Sequence, residues 1–455
     1  MMKLNNILNM KKIYLLLIIA LFAMILSSCG GKGRRGNGGV VASTDSTKIV
    51  VKPALTAKSV NVYIENSGSM DGYVNGNTEF KGAIRDLLVL LKHYYEGKVK
   101  IHFINSQIRE TYTQADLATF AANINTQWSV KGEDRTSSEL NNVFKMILAK
   151  TDKETVSILF SDCIYSISGK NAEDLLSDQK SLTKDAFLSR WRLDSLQLAT
   201  TIVKMKSKFN GTYYDKDNAK TQLNGEKRPY YICVISNSDV MNDFNNKISL
   251  EKGKVEGFEN KYVISTGMAD NIYYSVLLYT DNIGRFKPSR KASTKEYVHG
   301  LEDVNMTVRN RDGNGSNKLT FAVAVDLKNI AAEEDYLMNP INYTLSNNNF
   351  RIKGIRPINE LEIYPTDWKR IKESIPTHLI VLEATSTAIS DIKVSLKKQM
   401  PQWIEQTNII DDKDIKRNLD KTFGIQYLIE GIAEAYQKIY PDDKNFFEFE
   451  VKIFH

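Results

Sequence analysis

The fold is decided by the stretch Ser59-Val60-Asn61-Val62-Tyr63-Ile64-Glu65-Asn66-Ser67-Gly68-Ser69-Met70. Its first seven residues alternate apolar Val60, Val62 and Ile64 with more polar neighbours, which predicts a strand. Asn66, Ser67, Gly68 and Ser69, which follow, are small or polar and begin a loop. Downstream, Phe80, Ala83, Ile84, Leu87, Leu88, Leu91 and Tyr95 recur at helical spacing. A strand, a Gly/Ser loop and a helix in that order open an α/β sheet. In such sheets, ligands sit outside the carboxyl ends of the strands.

The same alternation of elements continues. Lys98–Asn105 reads as a second strand, and a helix is expected around 115–124. Another helix is expected over 137–150, with Leu140, Val143, Phe144, Ile147 and Leu148 on one face. Thr155–Ser161 is continuously apolar apart from its serines and threonine, the pattern of a buried parallel strand. A polar insertion is expected at 163–180, a long helix over 184–208, and strands at 230–236 and 262–266. Together these predict a mostly parallel, Rossmann-like sheet flanked by helices over residues 57–270.

From 271 to 455 the period changes. Short strand-like runs at 272–279, 304–308, 319–325, 378–382 and 392–396 are separated by polar turns. Phe447, Phe449, Val451 and Ile453 alternate with charged residues in the last of them. One amphipathic helix is expected over 413–439. This predicts a β-rich C-terminal domain with one long helix, either a sandwich or α+β, and no catalytic constellation appears in it.

The 455 residues allow two or three domains and a sizeable core. With 42% hydrophobic and 25% charged residues the composition is globular. The net charge of +7 is concentrated at the start, where residues 1–39 hold Lys3, Lys11, Lys12, Lys32, Arg34 and Arg35 and no acid. The remainder is close to neutral, so the charge gives no support to a nucleic-acid-binding surface. Three cysteines are too few for a disulfide-stapled scaffold.

Ile13–Leu26 is an unbroken apolar run behind Lys11 and Lys12, the size of a signal-peptide core and short for a membrane span. It ends in Leu26-Ser27-Ser28-Cys29-Gly30, which resembles the lipobox of bacterial lipoproteins. That resemblance implies a signal peptide over 1–28 and lipidation of Cys29. It implies residence in the envelope of a Gram-negative bacterium, as an outer-membrane lipoprotein facing the periplasm. Residues 29–56, with their Gly-rich basic start, are then a tether. Cys163 and Cys233 remain, and read as buried thiols, with a disulfide left open.

The chemistry is expected in the loop. Glu65, Ser67 and Ser69 offer a carboxylate and two hydroxyls at alternating positions, a set of hard oxygen donors for Mg²⁺, or alternatively Mn²⁺ or Ca²⁺. The segment resembles the von Willebrand factor A family, whose metal-ion-dependent adhesion site places Asp-x-Ser-x-Ser after the first strand. The family adds a Thr from a later loop and an Asp after the fourth strand. Thr136, ahead of a helix, and Asp162, at the end of the strand Thr155–Ser161, stand in those places. Glu65 departs from the family's Asp and carries its carboxylate one methylene further.

The resemblance implies a divalent cation held by Glu65, Ser67, Ser69, Thr136 and Asp162. It implies a protein partner whose acidic side chain completes the coordination, and no enzymatic activity. Two other readings stay open: a metal-dependent or Ser67-based hydrolase, and a structural lipoprotein with a non-functional metal site. The first lacks a general base in sequence reach. Glu65 keeps the second alive. Asp71, Asp134 and the run Ser236-Asn237-Ser238-Asp239 could reach the rim of the same site, but each reads better as ordinary turn residues. The five histidines show no metal spacing, and His102 reads as a packed strand residue.

Overall fold

The computed structural model describes residues 56–113, 120, 124, 135, 139–167, 169, 171–251, 253–265, 272–309, 315–328, 330 and 332–454. The signal peptide, Cys29, nearly all of the tether, most of the helix expected at 115–124, Asp134 and Thr136 lie outside them. Residues 54–455 form one compact unit.

A seven-stranded sheet is built around β1 (Ser59–Glu65). The others are β2 (Val99–Ile104), β3 (Ile108–Thr113), β4 (Thr155–Ser161), β5 (Leu198–Tyr214), β6 (Lys220–Asn237) and β7 (Phe258–Ser265), in the order β3-β2-β1-β4-β6-β5-β7. β2 and β4 flank β1 in parallel, with Val62 opposite both Ile101 and Ile158. β3, β6 and β7 run against their neighbours, so the sheet is parallel at its centre and antiparallel towards both edges. Alternation along β1 sends Val60, Val62 and Ile64 to one face and Tyr63 to the other.

Helix α1 (Glu79–Tyr94) covers the first face with Phe80, Ala83, Ile84, Leu87, Leu88 and Leu91, as its spacing predicts. Thr78 caps it, its Oγ1 accepting from the Lys81 amide. Helix α2 (Leu140–Lys150) covers the second face through Leu140, Val143, Phe144, Ile147 and Leu148.

The expected helix over 184–208 is corrected. α3 (Ala172–Asp194) ends at Ser195 in a left-handed conformation, φ 54°, and β5 follows. The β-branched run Thr200-Thr201-Ile202-Val203 suits a strand, and β5 pairs with β6 along its whole length. The polar insertion placed at 163–180 shrinks accordingly, because α3 already starts at residue 172. α4 (Ser238–Lys247) follows β6.

Beyond β7 come β8 (Tyr274–Val276), β9 (Arg285–Pro288), β10 (Gly300–Asn305), the ribbon β11 (Thr307–Arg309) with β12 (Gly315–Asn317), and β13 (Thr320–Val325). β14 (Tyr343–Leu345), β15 (Phe350–Pro357), helix α5 (Pro365–Ile371), β16 (His378–Ala384) and β17 (Ile392–Lys397) continue the chain. After α6 (Gln402–Thr407), a two-residue pair β18 (Asn408–Ile409) and β19 (Thr422–Phe423) leads into α7 (Ile425–Ile439) and β20 (Asn445–Ile453). A five-stranded sheet, β14-β17-β20-β10-β9, and a four-stranded one, β15-β16-β13-β8, share a core that includes Phe321, Leu382, Val394 and Phe447.

The helix expected over 413–439 is corrected too. A 3-10 turn at Ile415–Arg417, β19 and Gly424 at φ 76° precede α7, which starts only at Ile425. Nor does α7 serve the later sheets. Ile425, Leu428, Ile429 and Ile432 join Phe144, Phe187 and Ile235 in the core of the seven-stranded sheet. α7 lies on α3, and Gly431 permits the approach, since a Cβ there would stand 2.7 Å from the Lys180 carbonyl oxygen. Lys180 pairs with Glu430 and Glu434 across this contact. Among the described residues no helix is long and apolar enough to cross a membrane.

Candidate functional site

β1 and β4 are neighbours and parallel, so both end at the same edge of the sheet. Glu65 is the last residue of β1, and Asp162 follows the last residue of β4. Both are buried, at 1% and 2% exposure. Two carboxylates this deep and this close cost free energy unless something compensates them.

Part of the compensation is internal. Ser161 Oγ donates to Glu65 Oε2 and accepts from the Cys163 amide at 2.8 Å. Cys163 takes φ 53° here, turning the chain immediately past Asp162. The Ile164 amide donates to Asp162 Oδ1 at 3.3 Å. Ser69 lies beside the Asp162 carboxylate, and Ser67 Oγ lies 3.0 Å from Ser69 Oγ. Burial, and then the charge of Glu65, push the Asp162 carboxyl up to about 7. Ser69, the Ile164 amide and the Arg228 guanidinium act in the opposite direction.

The loop itself is clamped by Arg135. Its Nε donates to the Asn66 carbonyl at 2.7 Å and its Nη2 to the Ser67 carbonyl at 3.1 Å. Nη2 also meets Asp71 Oδ1 at 2.6 Å, and the Gly68 amide donates back to the Arg135 carbonyl at 2.9 Å. Asp71 is thus a loop anchor on the rim. Thr136 itself lies outside the described residues, but its predecessor Arg135 is fixed against the Glu65–Met70 loop.

Beneath the loop sits Arg228, 1% exposed, on β6. Its guanidinium carbon is 4.7 Å from the centre of the Tyr213 ring. Nη1 donates to the carbonyls of Leu419 at 3.2 Å and Lys421 at 2.9 Å. Tyr213 in turn donates to buried Asp412 at 2.5 Å. The segment from Asp412 to Lys421 is thereby tied to the strand ends that carry the acids.

The run Ser236–Asp239 does not reach this edge. β6 is antiparallel to β4, with Ser236 opposite Val156, so it finishes at the opposite end of the sheet. There Ser236 Oγ donates to the Thr155 carbonyl and Asn237 caps α4 through the Asp239 amide. His102 packs its ring on Tyr63 at 5.0 Å, as a strand residue. Cys163 and Cys233 are free and buried.

The loop and strand ends bring together Glu65, Ser67, Ser69 and Asp162. Reading residues one at a time missed Ser161, Arg135 and Arg228. Ser161 left a signal, being the second serine of an otherwise apolar strand. Arg228 left none, since its partners come from some 190 residues further along the chain.

As a cation site the donor set is consistent: carboxylate and hydroxyl oxygens only, with buried negative charge that a divalent ion would offset. Among the described residues there is no group of three or more His, Cys, Asp or Glu side chains poised to hold a metal, so the hydroxyls would be indispensable ligands. The sequence matches no family model and no curated protein.

Proposed function

We propose that this protein is a lipid-anchored binding module of the bacterial envelope, with a von Willebrand factor A-like domain. Its site would take a partner protein through a divalent cation, Mg²⁺ by preference. The supporting observation is the pair of buried carboxylates, Glu65 and Asp162, joined to the hydroxyl chain Ser67–Ser69 at the parallel centre of the sheet. Glu65, Ser67, Ser69 and Asp162 would hold the ion, with Thr136 as the fifth ligand of the family pattern. The bound cation would present an open coordination position for an acidic side chain of the partner. The β-rich C-terminal region would serve as a spacer or offer a second binding surface.

One observation favours a retired site. Glu65 already accepts a hydrogen bond from Ser161, and Arg228 lies close enough to act on Asp162. Thermal unfolding in EDTA, Mg²⁺, Mn²⁺ and Ca²⁺ separates the two readings. A cation at 100 times its dissociation constant adds about 2.7 kcal/mol, a shift of a few degrees. The binding reading expects that shift in the native chain and its loss in Ser69→Ala, Thr136→Ala and Asp162→Ala. No shift with any of the three cations would leave the structural reading.

A further inference from the structure

A second site lies at the other edge of the seven-stranded sheet. β7 is its edge strand, three strands away from β4. Between β7, α4 and residues including Leu327, Ile330, Glu333 and Leu337 opens a cavity of about 1010 Å³. A second cavity of about 360 Å³ adjoins it, lined by Tyr262, Tyr336, Trp403 and Phe446. The two share Asn260, Lys261, Val263, Ala332, Glu333 and Asp335, so they form one trough with Glu333 at its waist. Each lobe is within or near the range of small-molecule sites, roughly 300–1,000 Å³.

The lining states what it would accept. Asn242, Asn245 and Asn246 stand on one face of α4 at i, i+3 and i+4, and Asn260 faces the trough from β7. These four carboxamides make no side-chain hydrogen bond to the described residues. Each can donate and accept at once, as a hydroxyl can.

The carboxylates are mostly spoken for. Glu251 pairs with Lys261 at 3.3 Å, Glu259 with Lys204 at 3.0 Å and Glu334 with His378 at 3.0 Å. Glu333 accepts the Lys261 amide at 2.7 Å. The acids disfavour an anionic ligand, and their existing partners leave little for a cationic one. The smaller lobe adds ring faces, and the Trp403 indole Nε1 is buried there with no partner among the described residues. A neutral ligand with hydroxyls on its rim and C–H bonds on its faces fits both lobes.

We propose that this trough binds a neutral oligosaccharide, with hydroxyls on the carboxamides of Asn260 and α4 and one sugar ring against Trp403. Glu333 holds the edge of β7 closed between the two lobes and contacts the sugar that spans them. This site is independent of the cation site and works equally in EDTA and Mg²⁺.

The test is affinity electrophoresis of the full chain, in detergent micelles, through native gels cast with neutral polymers of glucose, mannose, xylose or N-acetylglucosamine. Calorimetry with the matching hexasaccharide follows. At least one polymer is expected to retard migration. The double variant N245A/N260A should weaken binding about tenfold or more while its unfolding temperature stays unchanged. Trp403→Phe should retain most binding and Trp403→Ala should lose it. Retardation by none of the polymers overturns the proposal. So does retardation that the double variant leaves untouched, or binding of spermine in place of any sugar.

Discussion

Ser161 donates its hydroxyl proton to the Glu65 carboxylate across the β1–β4 boundary, so the extra methylene of Glu65 is used. The longer side chain reaches the neighbouring strand, where a serine one residue before Asp162 receives it. The pair is fully buried, which makes its loss costly. Ser161→Ala removes one hydrogen-bond donor from the buried Glu65 carboxylate and the acceptor of the Cys163 amide, and is expected to destabilise by about 1–3 kcal/mol. Urea unfolding should show it as a lower midpoint at unchanged slope. A midpoint equal to that of the native chain would mean the Glu65 oxygen finds water instead.

The contact of α3 with α7 gives a steric prediction. Gly431→Ala would place a methyl 2.7 Å from the Lys180 carbonyl and 3.0 Å from Thr183 Cβ. The helices must separate, at about 1–3 kcal/mol, even though alanine is the better helix former. The expected fall in unfolding temperature would be absent if the helices meet only loosely.

Glu79 supplies an acid-sensitive link between α1 and the sheet. Its carboxylate accepts the Lys208 amide at 2.8 Å and meets Lys227 Nζ at 3.0 Å. Burial alone would raise it, but these partners outweigh burial and hold the carboxyl near about 2. A depressed folded value means the stabilisation is complete above the unfolded value, near 4.3, and is lost as pH falls from there towards 2. Glu79→Gln should cost about 1 kcal/mol at pH 7 and nothing near pH 2. Parallel stability curves for the two proteins across that window would remove the argument.

Glu333 should behave in the opposite sense. Burial pushes its carboxyl up to about 7 against the pull of the Lys261 amide. A raised acid favours folding below its unfolded value, and the advantage disappears as pH rises through 7. Glu333→Gln keeps an oxygen for the Lys261 amide and is expected to be on the order of 1 kcal/mol more stable than the native chain at pH 8, with no gain at pH 4. Stability curves measured from pH 4 to pH 8 check both the sign and the window.

Much of the first half was legible because its signals are local. Val60, Val62 and Ile64 alternate, and Phe80 to Leu91 repeat at helical spacing; each pattern needs only its own segment. The acid at Asp162 was legible from the apolar strand before it. Strand direction was not, because nothing in Tyr230–Ser236 says that it runs against β4. That is why the sequence left open a place for Ser236–Asp239 at the acidic edge, which the antiparallel β6 closes. Leu198–Lys208 read as the end of a helix because Lys204, Lys206 and Lys208 fall at alternate positions only from the middle of that stretch onward. The Arg135 clamp depends on a long-range fit of one guanidinium to two carbonyls and Asp71, and no spacing rule encodes it.

The return of α7 to the first sheet has a consequence for how the chain is made. One face of that sheet is closed by α7, whose first residue Ile425 lies 160 positions beyond Ser265, the end of the sheet's last strand. Until Ile425–Ile439 joins the folding chain, Phe187, Tyr231 and Ile235 lack their cover, and the incomplete sheet carries a bare apolar surface. The two halves therefore cannot mature one after the other like beads on a string. A premature stop anywhere between β7 and α7 yields a sticky fragment rather than a smaller working protein. The core of the first sheet is complete only when the chain is nearly whole.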